Sequence, residues 1–250
     1  MACPKPFRLL LVLLQLQLVA VAVNSLLPSE ATFTYHTSSS PECPPDQALA
    51  LLRLNRSFSA TNRSIAAFRS WKAGTNCCGW EGVHCHGATN RVSSLDLGDR
   101  GLESPNLDLS LFELTSLGYL NLAGNDFRMS EIPSTRFERL TKLTHLNLSA
   151  TNFSGQVPHS IGRLTSLISL DLSFHFELSI GPFHVDGKFH ADITRQGQLT
   201  LPNLTAILAN MGGLRELHLG FVDLSSQGGE WCTALARYTP NLHVLSIAIL

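Results

Sequence analysis

Leucines in a Leu-x-Leu pattern recur along the chain, and this recurrence restricts the fold more than any other feature. It appears as Leu95-Asp96-Leu97, Leu120-Asn121-Leu122, Leu146-Asn147-Leu148 and Leu170-Asp171-Leu172. It continues as Leu199-Thr200-Leu201, Leu217-His218-Leu219 and Leu245-Ser246-Ile247. Successive spacings run from 18 to 29 residues and average 25. The upstream half recurs too: Leu114, Leu117 and Leu120 match Leu140, Leu143 and Leu146, and also Leu164, Leu167 and Leu170. A helical face would repeat at three and four residues. This pattern instead predicts one short strand per repeat, with leucines inward and the residue between them outward. Stacking such strands in parallel buries a continuous leucine column, and no single repeat is stable alone. About seven strands are expected over 91–250.

The outward positions are Asp96, Tyr119, Asn121, His145, Asn147, Ser169, Asp171, Glu216 and His218. They are expected to line the concave face, where a repeat scaffold of this kind binds peptides or proteins. An asparagine that bonds turn backbone after each strand is met only at Asn125. Its equivalents are Arg100, Thr151, His175 and Val222. Ile132-Pro133 and Val157-Pro158 follow their strands at similar distances and suit short extended segments on the flank. Residues 173–198 depart from the repeat and read as an inserted loop carrying His175, His184 and His190.

The first 25 residues read as a secretory leader. Lys5 and Arg8 precede an apolar run, Leu9 to Val23, which is shorter than the roughly 20 residues needed to span a bilayer. No second membrane segment is expected. Secretion turns Cys43, Cys77, Cys78 and Cys85 into disulfide candidates. Adjacent Cys77 and Cys78 are poorly placed to bond each other, which leaves two pairings open. The count leaves Cys232 over as an odd cysteine. Secretion also makes Asn55, Asn62, Asn147, Asn152 and Asn203 N-glycosylation candidates in Asn-x-Ser/Thr. A sugar on Asn147 is expected to stand on the concave face and block peptide docking nearby, which would direct a ligand to a flank or to the 173–198 loop.

With 18 Lys and Arg against 19 Asp and Glu, the net charge of -1 offers no field for nucleic acid. No Ser/His/Asp elbow, phosphate-cradling glycine loop or HExxH is present, so no catalytic residue and no cofactor is expected. The spacing of Cys77, Cys78 and Cys85 is not that of a zinc site. In the segment 41–90, Asp46 is the expected N-cap of a first helix with Leu49, Leu51 and Leu52 on its apolar side. A second helical piece is expected from Ser64 to Trp71, with Trp71 and Trp80 in the core.

The run from Cys43 through Ala48-Leu-Ala-Leu-Leu52 and Phe68-Arg-Ser-Trp71 to Asn76-Cys-Cys-Gly-Trp-Glu-Gly-Val-His-Cys85 resembles the plant leucine-rich-repeat N-terminal cap. Leu214 to Leu224, Glu230-Trp-Cys232 and Leu242 to Ile247 add a resemblance to cell-surface receptor-like proteins of the Verticillium-wilt-resistance type. The fold class expected is therefore an α/β repeat, a leucine-rich-repeat solenoid with a parallel concave sheet and a disulfide-bonded helical cap over 41–90. The resemblance implies the pairings Cys43–Cys77 and Cys78–Cys85. It also implies an extracellular, non-enzymatic part of a receptor in defence signalling. Such a part takes a peptide, protein or wall-derived ligand and recruits a co-receptor kinase at the plasma membrane. The alternative is a soluble apoplastic binder or inhibitor of microbial wall-degrading enzymes. The last residues, Leu242, Leu245 and Ile247, lack the expected C-terminal cap and following cysteine, which reads as a truncated product.

Overall fold

The computed structural model describes residues 42–174 and 197–248. The leader over 1–25 and the insertion at 173–198, apart from its outermost residues, lie outside the described residues, as do His175, His184 and His190.

The cap begins with α1, Pro45–Ser57. Proline suits this start, because its missing N–H would have no helical partner there. The Pro44 carbonyl accepts from the backbone N–H groups of Gln47 (3.0 Å) and Ala48 (3.1 Å). Asp46 therefore sits inside the first turn and is not the cap. It pairs instead with Arg91 at 3.1 Å. The buried face is Gln47, Ala50, Leu51 and Leu54, a helical stripe. Leu49 lies on the opposite side and is 45% exposed, which corrects its expected burial. Gln47 Oε1 accepts from the Val92 N–H at 2.9 Å and ties α1 to the first repeat.

The second helix, α2, spans Asn62–Ala67 and is shorter than expected. Thr61 and Ser64 each accept from the other's backbone N–H, at 3.1 and 2.9 Å, closing a capping box. Trp71 and Trp80 stack at 5.4 Å in the core. Their indole N–H groups donate to Glu81 O (2.9 Å) and Thr75 Oγ1 (2.8 Å). The disulfides are Cys43–Cys77 and Cys78–Cys85, each with Cα atoms 5.4 Å apart. They consume the thiolates that a zinc site would need. Cys232 is also disulfide-bonded, and no described cysteine is a free thiol.

The sheet opens with β1, Val83–Cys85, antiparallel to β2, Val92–Asp96. Parallel to β2 follow β3 (Tyr119–Asn121), β4 (His145–Asn147), β6 (Ser169–Asp171), β8 (Glu216–Gly220) and β9 (Val244–Ala248). Leu95, Leu120, Leu146, Leu170, Leu217 and Leu245 stand in register. The first five are at most 1% exposed. At the outer strand Leu245 and Ile247 are only partly buried.

The chain returns along the convex side through short 3-10 turns at Leu109–Glu113, Phe137–Arg139 and His159–Arg163, and through α3, Leu204–Leu208. A further helix, α4, spans Glu230–Tyr238 before β9. Aromatic rings reinforce the stack between turns. Phe127 lies face to face with Phe153 at 4.4 Å, and Phe112 meets Phe137 edge-on at 4.9 Å.

Leu199-Thr200-Leu201 is not a strand of the concave sheet, which corrects the sequence reading. Two-residue β7, Leu199–Thr200, pairs instead with β5, Gly155–Gln156, in a second sheet on the flank. Its register sets Thr200 beside Gln156, so Leu201-Pro202 is the counterpart of Val157-Pro158. The spacing of 18 residues from Leu199 to Leu217 is too short for a full circuit of the solenoid. Among the described residues the concave sheet thus has seven strands, of which six are repeat strands and one is the antiparallel strand of the cap.

Candidate functional site: the concave strand face

Register alignment carries the outward residues into two rows. One row runs Ser94, Tyr119, His145, Ser169, Glu216, Val244, and the other Asp96, Asn121, Asn147, Asp171, His218, Ser246. All nine expected face residues stand in these rows. Ser94, Val244 and Ser246 complete them. Ser94 was legible, since it precedes Leu95 as Tyr119 precedes Leu120.

The second row has a structural task that the Leu-x-Leu pattern does not reveal. A side-chain Oδ1 accepts from the backbone N–H two residues on in four successive repeats: Asp96 from Gly98 (3.1 Å), Asn121 from Ala123 (3.0 Å), Asn147 from Ser149 (2.9 Å) and Asp171 from Ser173 (2.9 Å). Each strand here has to turn away after its last residue, and these Asx bonds satisfy the backbone as it does. The series stops at His218, where β8 continues to Gly220 alongside β9. Asn121 Nδ2 also donates to Asp96 Oδ1 at 2.9 Å. Asp96, Asn121, Asn147 and Asp171 therefore hold strand ends and offer a ligand only their remaining polar atoms.

The first row is freer. Tyr119 and His145 lie with ring centroids 6.1 Å apart. The Tyr119 hydroxyl is held above the usual tyrosine range, mainly by burial and then by the nearby Asp96 charge, while a hydrogen bond with Asn121 acts the other way. Thr144 Oγ1 donates to Gly118 O at 2.7 Å and lies 2.9 Å from His145 Nδ1. A hydroxyl has one proton, so Nδ1 is the donor to Thr144, and Nε2 of the neutral ring is left to accept. Ser169 Oγ donates to Glu216 Oε2 at 3.0 Å. This row offers an aromatic surface, an imidazole acceptor and a carboxylate along one edge of the face.

The expected ladder asparagine is realised once in full. Asn125 is 3% exposed. Its Oδ1 accepts from the Leu102 N–H, and its Nδ2 donates to Leu97 O and Leu122 O, each at 2.8 Å. Thr151 replaces this with one bond, to Leu148 O at 2.6 Å. Val222 can make none, and Arg100 pairs with Glu81 at the surface.

The five glycosylation candidates differ in setting. Asn62 is exposed on α2, and Asn55 is half-buried on α1. Asn203 caps α3 by accepting from the Ala206 N–H at 2.8 Å. Asn152 is engaged at both ends: Nδ2 donates to Asp126 Oδ1 at 2.8 Å, and Oδ1 accepts from the Gly197 N–H at 2.7 Å. Asn147 has its Oδ1 held by both the N–H and the hydroxyl of Ser149, its own sequon serine, at 2.9 and 2.7 Å. Its position on β4 is central to the face. Among the described residues no helix is long and apolar enough to cross a membrane.

The leucine-rich-repeat N-terminal domain model matches residues 44–86, and the leucine-rich-repeat model matches 142–164. Receptor-like protein 6 of Arabidopsis thaliana is 32% identical over 220 residues, covering 80% of this chain and 20% of its own length. Receptor-like protein 9DC1 of Solanum pimpinellifolium is 33% identical over 228 residues, covering 85% of this chain and 23% of its own. The chain thus spans about a fifth of the length of these curated relatives. Among solved structures, the BIR3–SERK2 complex of Arabidopsis thaliana superposes with a TM-score of 0.56 at 24% identity, over 80% of this chain and 94% of that one. The Arabidopsis receptor kinase HAESA, in complex with the peptide hormone IDA and the co-receptor SERK1, gives a TM-score of 0.50 at 23% identity, over 82% of this chain and 34% of that one. The cap, its two disulfides, the repeat strands and these matches together make the chain a leucine-rich-repeat protein with the leucine-rich-repeat N-terminal domain, similar over most of its length to the plant receptor-like proteins.

Proposed function

We propose that the chain is an extracellular ligand-binding part of a plant cell-surface receptor-like protein that acts in defence signalling. It works by binding and not by catalysis. The observation that carries this reading is the first row of the concave face. Tyr119, His145, Ser169 and Glu216 stand in register on a rigid sheet, half-exposed or exposed, and only Ser169 and Glu216 bond each other across strands. Such a strip suits an extended peptide, whose backbone and side chains can meet an aromatic ring, an acceptor and a carboxylate in sequence. The similarity to receptor-like proteins supports a surface location. The HAESA structure, with its peptide hormone and co-receptor, supports a mechanism in which ligand and chain together recruit a kinase partner.

Asn147 refines the reading. A glycan there covers the centre of the sheet, so peptide docks toward the Ser169–Glu216 side or on a flank. The test expresses the receptor in plant cells with alanine at Tyr119, His145 and Glu216, and scores ligand-triggered association with a co-receptor kinase. The reading expects association to be lost while surface level is unchanged. Association equal to that of the unaltered receptor would exclude this face as the binding surface.

A further inference from the structure

The two rows of the concave face hold three carboxylates, Asp96, Asp171 and Glu216, and neither a lysine nor an arginine. The chain as a whole is nearly neutral at -1, so this face is more acidic than the molecule that carries it. Among the described residues none of the three carboxylates is in a salt bridge. His218 stands beside Asp171 in register without pairing with it, and Arg215 precedes Glu216 without pairing with it. A face with one sign of charge attracts the opposite sign.

Hydrogen bonds place two of these carboxylates. Glu216 Oε2 accepts from Ser169 Oγ at 3.0 Å, which brings the Glu216 carboxylate from β8 across to β6. Asp171 lies on the same face of β6, two residues beyond Ser169, an advance of roughly 6.6 Å. Its Oδ1 is held by the N–H and the hydroxyl of Ser173, at 2.9 and 2.6 Å. Among the described residues Asp171 Oδ2 and Glu216 Oε1 keep no partner. The turn after β6 does not need the charge on Asp171, because Asn121 and Asn147 make the same bond with a neutral amide.

This spacing selects the kind of cation. An ammonium or guanidinium midway between carboxylates roughly 6 Å apart lies within hydrogen-bond reach of both. A calcium ion, with ligands at about 2.3–2.6 Å, needs oxygens within about 5 Å of one another. Among the described residues no group of three carboxylates or imidazoles is gathered closely enough to hold a metal ion. An acidic side chain meets both carboxylates with like charge. We infer that the peptide taken by this face is basic, and that one of its lysine or arginine side chains sits between Asp171 and Glu216. The inference rests on the reading of the face as a peptide site and adds the charge of the peptide.

Titration of the secreted protein with N-acetylated, amidated tetralysine tests this. The expected result is binding that weakens about tenfold in Asp171→Asn/Glu216→Gln, through loss of two exposed ion pairs. Binding also falls as salt is raised, and is absent when the lysine side chains are acetylated. Glu138→Gln, on the convex side, keeps wild-type affinity. The amides retain the bonds with Ser169 and Ser173, and an unchanged thermal midpoint verifies the fold. The inference is overturned if the double variant binds tetralysine as the wild type does, or if the acetylated peptide binds as tightly. It is equally overturned if spermine, with the same four charges, binds as tightly as tetralysine, since the site would then take a free polyamine. Kinase association separates this inference from the reading beneath it. Association that persists in Asp171→Asn/Glu216→Gln but is lost with alanine at Tyr119, His145 and Glu216 overturns the basic peptide alone; association that persists in both overturns the peptide site as well.

Discussion

Replacing Asn125 by alanine removes the side chain that ties three backbone groups of two successive repeats together. Its side chain is the partner of three buried backbone groups, the Leu102 N–H, Leu97 O and Leu122 O, all at 2.8 Å. Leu97, Leu102 and Leu122 are at most 1% exposed, so water does not reach these groups without opening the stack. A buried polar group left without a partner costs about 1–3 kcal/mol. Three such groups, partly relieved by relaxation, put Asn125→Ala at about 3–5 kcal/mol, a large share of the 5–15 kcal/mol typical of a domain. Thr151 occupies the equivalent place one repeat on and holds only Leu148 O. Thr151→Val should therefore cost about 1–2 kcal/mol. Urea unfolding of the secreted protein, followed by near-ultraviolet circular dichroism, measures both. If Asn125→Ala proved no more destabilising than Thr151→Val, the ladder account of this turn would be refuted.

Further outcomes follow from the same geometry. Loss of Cys43–Cys77, which closes a separation of 34 residues, should cost about 4 kcal/mol, and loss of Cys78–Cys85, with a separation of 7, about 2 kcal/mol, by loop entropy; paired serine variants compared by thermal unfolding decide the order. Asn147 should carry a glycan in the plant-expressed protein by peptide mass mapping, and Asn147→Gln should increase peptide binding to the face; an unmodified native Asn147 removes the shielding argument. Tyr119 ionises above its usual 10.0 because of burial first and Asp96 second, so its contribution to stability is full below the unfolded value and is lost as pH rises through the folded one. Asp96→Asn should lower that ionisation in an ultraviolet titration without returning it fully to the usual value.

Much of the architecture was legible because strand alternation with a period near 25 has few other physical readings. Leu95, Leu120, Leu146, Leu170, Leu217 and Leu245 were all placed correctly. Leu199-Thr200-Leu201 was not, since alternate leucines also suit a flank strand. The proline at 202, matching Pro133 and Pro158, was the better guide, along with an 18-residue spacing too short for a circuit. The face residues were legible as a set, but their division of labour was not. An Asp or Asn whose side chain turns back to its own backbone looks, in sequence, like one that reaches for a ligand. The small residue two places on, Gly98, Ala123, Ser149 or Ser173, was the available sign. In the cap, Pro44 rather than Asp46 stands at the N-cap of α1, and Leu49 lies off the stripe that Gln47, Ala50, Leu51 and Leu54 bury, since a helix of period 3.6 cannot turn Leu49 and Leu51 to the same side.

Hydrogen exchange of the secreted protein, with and without a plant or microbial peptide fraction that triggers kinase association, tests the binding face most directly. The account predicts slowed exchange in peptides carrying β3, β4, β6 and β8, strongest around Ser169 and Glu216. Protection confined to the convex turns at 109–113, 137–139 and 159–163, with the strand peptides unchanged, would contradict it.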